Sequence, residues 1–361
     1  MASISKVHTG KWRARYRDDA GKQHARHFDR KVDAQRWLND VTASVVRGDY
    51  VDPKAGKVTV AEYAATWQAV QVSSLGTARI VDNALRRHLI PELGDRPMAG
   101  VLPSTIQGFV KTLEAKGLAA GTVRNIYDVA WRLFDSAVHD RVINRSPFVK
   151  IRLPALDNHD VVVPTIEEVM GLADAVEDRW RAVVVTLAGS GLRIGELLGL
   201  QVRDVDFLRQ TIRVERQRTQ DGRLTPPKSA SSVRTVPVGQ VVINELAQHL
   251  ATYPSSAELF LDELGRPLSY WQWKRIWADG AEEAEVSFTS HAMRHFFASA
   301  LISGGASVKQ VQTVLVHASA VITLKVYSHL WPGDEDRTRS VMDAALNPLE
   351  DYLRTAATPI T

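Results

Sequence analysis

The stretch SHAMRHFFASAL, residues 290–301, decides how this chain is read. Its apolar positions recur at helical spacing, and Ser290 stands where a helix cap belongs. His291 and Arg294 are three positions apart, so one helix face presents an imidazole beside a guanidinium. His295 falls about 100° further round the helix and reads as structural or exposed. A lone His or Arg on an amphipathic helix is more often packing or solvated surface than chemistry, so the neighbouring motifs must decide.

Downstream, LVHASAVITLKVYSHL (residues 315–330) separates His317 from Tyr327 by ten positions, with Ser319 placed to start the helix that carries the tyrosine. Upstream, SGLRIGELLGL (190–200) places Arg193 just after Gly189 and Gly191, at the opening of another helix. Glu196 shares its face, and taken alone the two read as a surface ion pair. Between these motifs, PPKSASSVRTVPV (226–238) sets Lys228 at the tip of a Ser-rich hairpin, between a strand ending near Arg218 and one beginning near Ser232. An isolated loop lysine is normally just solvated. There is no P-loop, no HExxH, no G-x-S-x-G elbow and no pair of closely spaced His ligands with a supporting carboxylate, so metal-dependent nuclease or hydrolase chemistry is poorly supported. With no cysteine in the chain, disulfide frameworks, thiol nucleophiles and thiolate zinc sites are excluded.

The 361 residues carry 45 Lys+Arg against 41 Asp+Glu, a net charge of only +4, but the charge is unevenly placed. Residues 1–47 hold eleven Lys/Arg against five Asp, a local +6 that points to an anionic partner. Within them, residues 11–17 alternate: Trp12, Ala14 and Tyr16 face one way, Arg13, Arg15 and Arg17 the other. Asp18-Asp19-Ala20-Gly21 is a turn signal, residues 22–28 return as a strand carrying Arg26, and Asp29 can cap a helix to about Arg47. Arg13, Arg15, Arg17 and Arg26 are the DNA-binding candidates of this module. Four helices follow near 59–70, 77–89, 103–116 and 120–139, with Thr59 and Thr77 as N-caps and Pro103 in a first turn. Arg124, Arg132 and Arg141 on this module read as solvated. After a linker come helices near 165–176 and 180–189, strands at 211–218 and 232–238, and helices near 240–250, 270–284, 290–303, 307–316 and 319–329. No apolar run approaches the roughly 18 residues of a membrane span, and the N-terminus lacks a signal-peptide core, so a soluble, cytoplasmic protein is expected.

Taken together, the order Arg193, Lys228, His291-x-x-Arg294, His317, Tyr327 closely resembles the tyrosine recombinase (phage-type integrase) family. GLRIGELLGL resembles the family's first arginine motif, and PPKSASSVRTVPV its lysine hairpin ending in R-x-V-P. HAMRHFFAS resembles its H-x-L-R-H box, and LVHASAVITLKVYSH its tyrosine box. Two positions depart from the pattern: Val316 replaces the usual glycine before the second histidine, and Met293 the usual leucine. The resemblance spans the chain and implies a multidomain α+β fold. A three-stranded sheet with a helix (1–56) would bind arm-type DNA, and an all-α module (57–150) would bind the core site. A linker (151–164) would lead to a mainly α catalytic domain with a small antiparallel sheet (165–340), and a tail (341–361) would dock on a neighbouring protomer.

The implied chemistry is cleavage and rejoining of DNA at attachment sites through a 3′-phosphotyrosine, without metal, ATP or any other cofactor. Tyr327 would be the nucleophile, Arg193 and Arg294 the phosphate ligands and Lys228 the general acid. His291 would be the candidate base, and His317 a hydrogen-bond donor to the phosphate. The implied partners are double-stranded DNA with core and arm sites, three further copies in a tetramer, a host DNA-bending protein and an excisionase-type directionality factor, all in a bacterial nucleoid. Two rivals stand beside this reading: a type IB topoisomerase-like enzyme, which has no use for a separate basic module, and a DNA-binding regulator without chemistry, which has no use for an intact set of reactive residues.

Overall fold

The computed structural model describes the chain except residues 1, 18–20, 48–49, 53, 157–161, 228–229, 317–318, 328–338 and 347–361. The described residues form two compact units, Met1–Asn158 and His159–Thr361.

The first unit opens with an antiparallel sheet in the order β1 (Ser3–Lys6), β2 (Trp12–Arg17), β3 (Gln23–Phe28), followed by α1 (Lys31–Arg47). The alternation along β2 sends Ala14 and Tyr16 into a small core with Ala34, Leu38 and Tyr50. Arg13, Arg15 and Arg17 therefore share the opposite face of the sheet, where His27 stands across from Arg13 and Ala25 across from Arg15. Arg26 pairs with Ala14, which places it on the face that α1 covers rather than in the arginine row; its guanidinium lies 5.4 Å from the Phe28 ring centroid.

The helical module comprises α2 (Val60–Ala69), α3 (Leu75–Ala84), α4 (Ile90–Leu93), α5 (Pro103–Ala115) and α6 (Ala120–His139). Thr59 caps α2 through a reciprocal box with Glu62, at 3.2 and 2.9 Å. The start expected at Thr77 moves forward: Ser74 caps α3 and accepts the Thr77 N–H, so Thr77 is the third helical residue. Between α3 and α4 the chain makes one π-turn (Leu85–Leu89) in which the Ile90 N–H reaches the Leu85 carbonyl. Pro91, which lacks an N–H and crowds the carbonyl four residues back, accounts for it. Leu85, Ile106, Val110, Leu113, Val123, Leu133 and Phe134 are all fully buried in one core. Arg124 is not a free cation: Nε and Nη2 donate to the Pro154 carbonyl, tying the following segment to α6.

The second unit begins with α7 (Ile166–Ala175), α8 (Asp178–Ser190) and the short α9 (Ile194–Leu197). The strands are β4 (Val205–Asp206), β5 (Thr211–Val214), β6 (Gln217–Arg218), β7 (Leu224–Thr225) and β8 (Arg234–Pro237). The single strand expected over 211–218 divides in two. β5 lies between β4 and β8 in one antiparallel sheet, while β6 pairs with β7 in another. The break falls at Arg216, whose guanidinium is held by Asp204 and Glu215. Helices α10 (Gln240–Thr252), α11 (Tyr270–Glu283), α12 (Ala292–Ser303), α13 (Val308–Leu315) and α14 (Ala320–Tyr327) complete the unit, and residues 339–346 form one more helical stretch. No described helix is long and apolar enough to cross a membrane. α8 is almost wholly buried, packed against α7, α10 and α12. It ends at Gly191, in the left-handed region at φ 62°, where a Cβ would stand 2.4 Å from Phe297 Cδ1. Only glycine lets the chain turn so tightly against α12, and that turn delivers the next polar residue, Arg193.

Candidate active site

Arg193 caps α9 rather than lying inside a helix. Its backbone N–H donates to Glu196 Oε2 at 3.0 Å and its Nη1 to Glu196 Oε1 at 2.9 Å. The expected surface pair is instead a graded one: the Arg193 side chain is 43% exposed and that of Glu196 only 3%. The carboxylate is shared, because Arg234 of β8 grips both of its oxygens, Nη2 on Oε2 at 3.0 Å and Nη1 on Oε1 at 3.2 Å. Burial alone would raise the Glu196 pKa, but the hydrogen bonds and charge of Arg234, then those of Arg193, outweigh it and hold the carboxyl below its ordinary range. Two guanidiniums on one carboxylate leave a net positive charge, and Arg193 keeps further N–H donors directed away from Glu196.

Arg294, one turn into α12, is buried to 3% exposure. Nη1 donates to the Gly191 carbonyl at 2.7 Å and Nη2 to the Leu315 carbonyl, so one side chain ties the end of α8 to the end of α13. Burial, then the charge of Arg193, lowers its pKa to about 10, which leaves it charged at neutral pH. Glu196, Arg234 and Tyr327 act electrostatically on the same group, which places all five in one cluster.

His291 stands just ahead of α12 as its cap residue, without a side-chain cap bond, so the cap expected of Ser290 is not the one formed. Its ring reaches the surface, yet desolvation by the surrounding protein, with the charges of Arg294 and Arg193, holds its pKa below the ordinary value and keeps it neutral at pH 7. Tyr327, the last residue of α14, is only 1% exposed. Burial pushes its phenol up to about 12 against the opposing charge of Arg294. The Tyr327 hydroxyl lies 2.7 Å from His295 Nδ1. The His295 ring in turn meets that of His291 edge-on, 5.1 Å between centroids. The histidine that the sequence sets aside is thus the one in contact with the tyrosine.

The unit therefore gathers Arg193, His291, Arg294 and Tyr327, and adds Glu196, Arg234 and His295 to them. Lys228 and His317 lie outside the described residues. Among the described residues, no three His, Asp or Glu side chains converge as metal ligands would. The chemistry this arrangement supports is the attack of a phenol on a group whose negative charge is held by two arginines.

Val316, the C-cap of α13, adopts φ 52°, ψ 51°. A β-branched residue in the left-handed region is strained, and glycine is not. Val316→Gly should relieve that strain, which costs roughly 1–2 kcal/mol, less the extra chain entropy glycine loses on folding. The expected gain of up to about 1 kcal/mol should raise the melting temperature of this unit by roughly 2–4 °C in calorimetry.

Comparison with known proteins agrees with the geometry. The profile of the phage integrase family matches residues 164–332, and that of the phage integrase N-terminal domain matches residues 2–47, together more than half of the chain. The integrase of Mycobacterium phage D29 is 25% identical over 338 residues, spanning 89% of this chain and 90% of that protein. Tyrosine recombinase XerD of Chlorobaculum tepidum is 29% identical over 268 residues, spanning 69% and 84%. Among solved structures, the Tn1549 transposon integrase in complex with a circular intermediate DNA superposes with a TM-score of 0.69 at 24% identity, over 80% of this chain and 99% of that one. A lambda integrase dimer bound to a COC′ core site superposes with a TM-score of 0.62 at 16% identity, over 90% and 93%. At these identities the two structures speak for the fold.

Proposed function

Because the chain belongs to the phage integrase family of tyrosine recombinases, we propose that it cleaves and rejoins DNA at attachment sites through a 3′-phosphotyrosine on Tyr327. The observation that carries this reading is a buried tyrosine hydroxyl in the same cluster as a charged, buried Arg294 and a half-exposed Arg193. A phosphodiester entering beside Arg193 meets two planar, permanently charged donors suited to its non-bridging oxygens. His291 stands at the same edge. Lys228 protonates the leaving 5′ oxygen and His317 hydrogen-bonds the phosphate, both by family resemblance. The phosphotyrosine conserves the bond energy, so a 5′ hydroxyl of the partner strand reverses the step without ATP, metal or other cofactor. A nicked suicide duplex carrying the attachment core should accumulate a covalent protein–DNA adduct; its absence would refute the reading.

In the same proposal, residues 1–56 read arm sites, 57–150 grip the core site, 151–164 link and 165–340 catalyse. The integrases whose structures resemble this fold were captured on DNA, one of them as a tetramer on a Holliday junction, which supports a tetramer here. Val341, Met342 and Leu346 stay exposed on the helical stretch 339–346, as a tail that docks on a neighbouring protomer requires. A host DNA-bending protein and an excisionase-type factor complete the assembly in the bacterial nucleoid.

Arg13, Arg15 and Arg17 share one sheet face, and replacing all three by alanine should weaken arm-site binding while sparing core-site cleavage. The salt dependence should flatten by about 0.9 in log–log slope for each phosphate that an arginine no longer neutralises. An unchanged slope in a salt titration would remove these arginines from the interface.

A further inference from the structure

We propose that His295 accepts the proton of Tyr327 as the phenol attacks phosphorus. The inference rests on the reading of Tyr327 as nucleophile and goes beyond it by assigning the base.

The phenol is buried and, with its pKa pushed up to about 12, is ionised in only about one molecule in 10⁵ at pH 7. Attack by a free phenolate would be correspondingly slow, so the proton must leave to an acceptor already in place. A general base has to lie within about 2.6–3.2 Å of the atom it deprotonates. His295 Nδ1 does, at 2.7 Å from the Tyr327 hydroxyl. With the proton of a neutral imidazole on Nε2, Nδ1 carries the lone pair that takes the proton of the Tyr327 hydroxyl. His291, the base candidate read from the sequence, is four positions earlier and meets His295 edge-on. Its neutral ring sits under the charges of Arg294 and Arg193 instead. One stretch, residues 291–295, thus supplies a phosphate ligand and, on the next residue, the proton acceptor.

The step balances. The Tyr327 Oη–H bond breaks and a Nδ1–H bond forms on His295. The Oη–P bond forms, the P–O5′ bond breaks, and the departing oxygen takes its proton from the general acid. As charge grows on the phosphate oxygens, the new imidazolium is stabilised beside them. In religation the imidazolium returns its proton to Oη, so His295 serves both directions.

The test uses the full-length chain and a nicked suicide duplex bearing the attachment core, followed in single turnover by adduct formation. His295→Asn keeps an acceptor near the position of Nδ1 but cannot take a proton; it should slow adduct formation roughly 10²–10⁴-fold at unchanged DNA affinity. Placing 3,5-difluorotyrosine at 327 supplies a far more acidic phenol, so a much larger fraction of it is ionised at a given pH without help from a base. With it, the His295→Asn defect should shrink to less than about tenfold, whereas a His291→Gln defect should stay as it was. His295→Gln serves in the same way if the Asn variant does not fold. A His295→Asn defect that the acidic phenol leaves undiminished, or a near-wild-type rate in that variant, overturns the proposal. An unmodified chain that forms no adduct fails the recombinase reading instead.

Discussion

Replacing Tyr327 by phenylalanine is expected to abolish covalent capture of DNA altogether while leaving DNA affinity within about twofold, since only one hydroxyl is removed. The substitution deletes the oxygen that lies 2.7 Å from His295 and leaves the ring, which belongs to a core with Phe297, Ile302, Val311 and Leu315. The fold should hold, because the loss is one hydrogen bond, worth about 0.5–1.5 kcal/mol net. A gel that resolves free from protein-linked DNA, run beside an equilibrium binding titration, separates the two effects.

Arg294 carries the second large effect, and here chemistry and stability fall together. Its two terminal nitrogens satisfy the carbonyls of Gly191 and Leu315. In the proposed role as a phosphate ligand, Arg294→Ala removes a donor to transition-state charge, worth roughly 10²–10³ in rate. It also strands both carbonyls, and hydrogen bonds from a charged group contribute about 1.5–3 kcal/mol each. Lysine is no remedy, since a single ammonium lacks the planar fork that reaches two carbonyls at once. Arg193→Ala should lose comparable rate with little change in melting temperature, because that side chain is 43% exposed. Single-turnover cleavage and calorimetry on the two variants would show the contrast. Equal melting temperatures would deny Arg294 its role in bracing the site.

Much of the architecture was legible from periodicity and punctuation. The helix expected over 120–139 spans Ala120–His139, and Pro103 opens α5. Strong apolar spacing, good caps and Gly/Pro breaks all agreed there. Local chemistry decided less well where two similar signals competed: Ser74 and Thr77 are both plausible caps, and the choice depends on where the α3 face meets α6. The 211–218 strand looked continuous because nothing in its own residues shows that Arg216 is claimed by Asp204, twelve positions away.

The site was legible as a set of residue types and not as a set of contacts. Arg193, His291, Arg294 and Tyr327 could be named from their motifs. Arg234 stood in plain view within R-x-V-P, but its grip on Glu196 joins positions 38 apart in sequence. His295 shows most clearly what periodicity leaves out. Helical geometry gives its angle to Arg294, while its function depends on a hydroxyl 32 residues later that α14 brings back. Val316 was visible as a departure from glycine; only the backbone, at φ 52°, shows why glycine is the easier residue there.

The most direct measurement is the chemical identity of the protein–DNA link. The full-length chain would be trapped on a nicked suicide duplex, digested with nuclease and trypsin, and the nucleotide-bearing peptide sequenced by mass spectrometry. A single 3′-phosphotyrosine, on Tyr327, is the expected result. A nucleotide on Tyr352 or on any other side chain would contradict it.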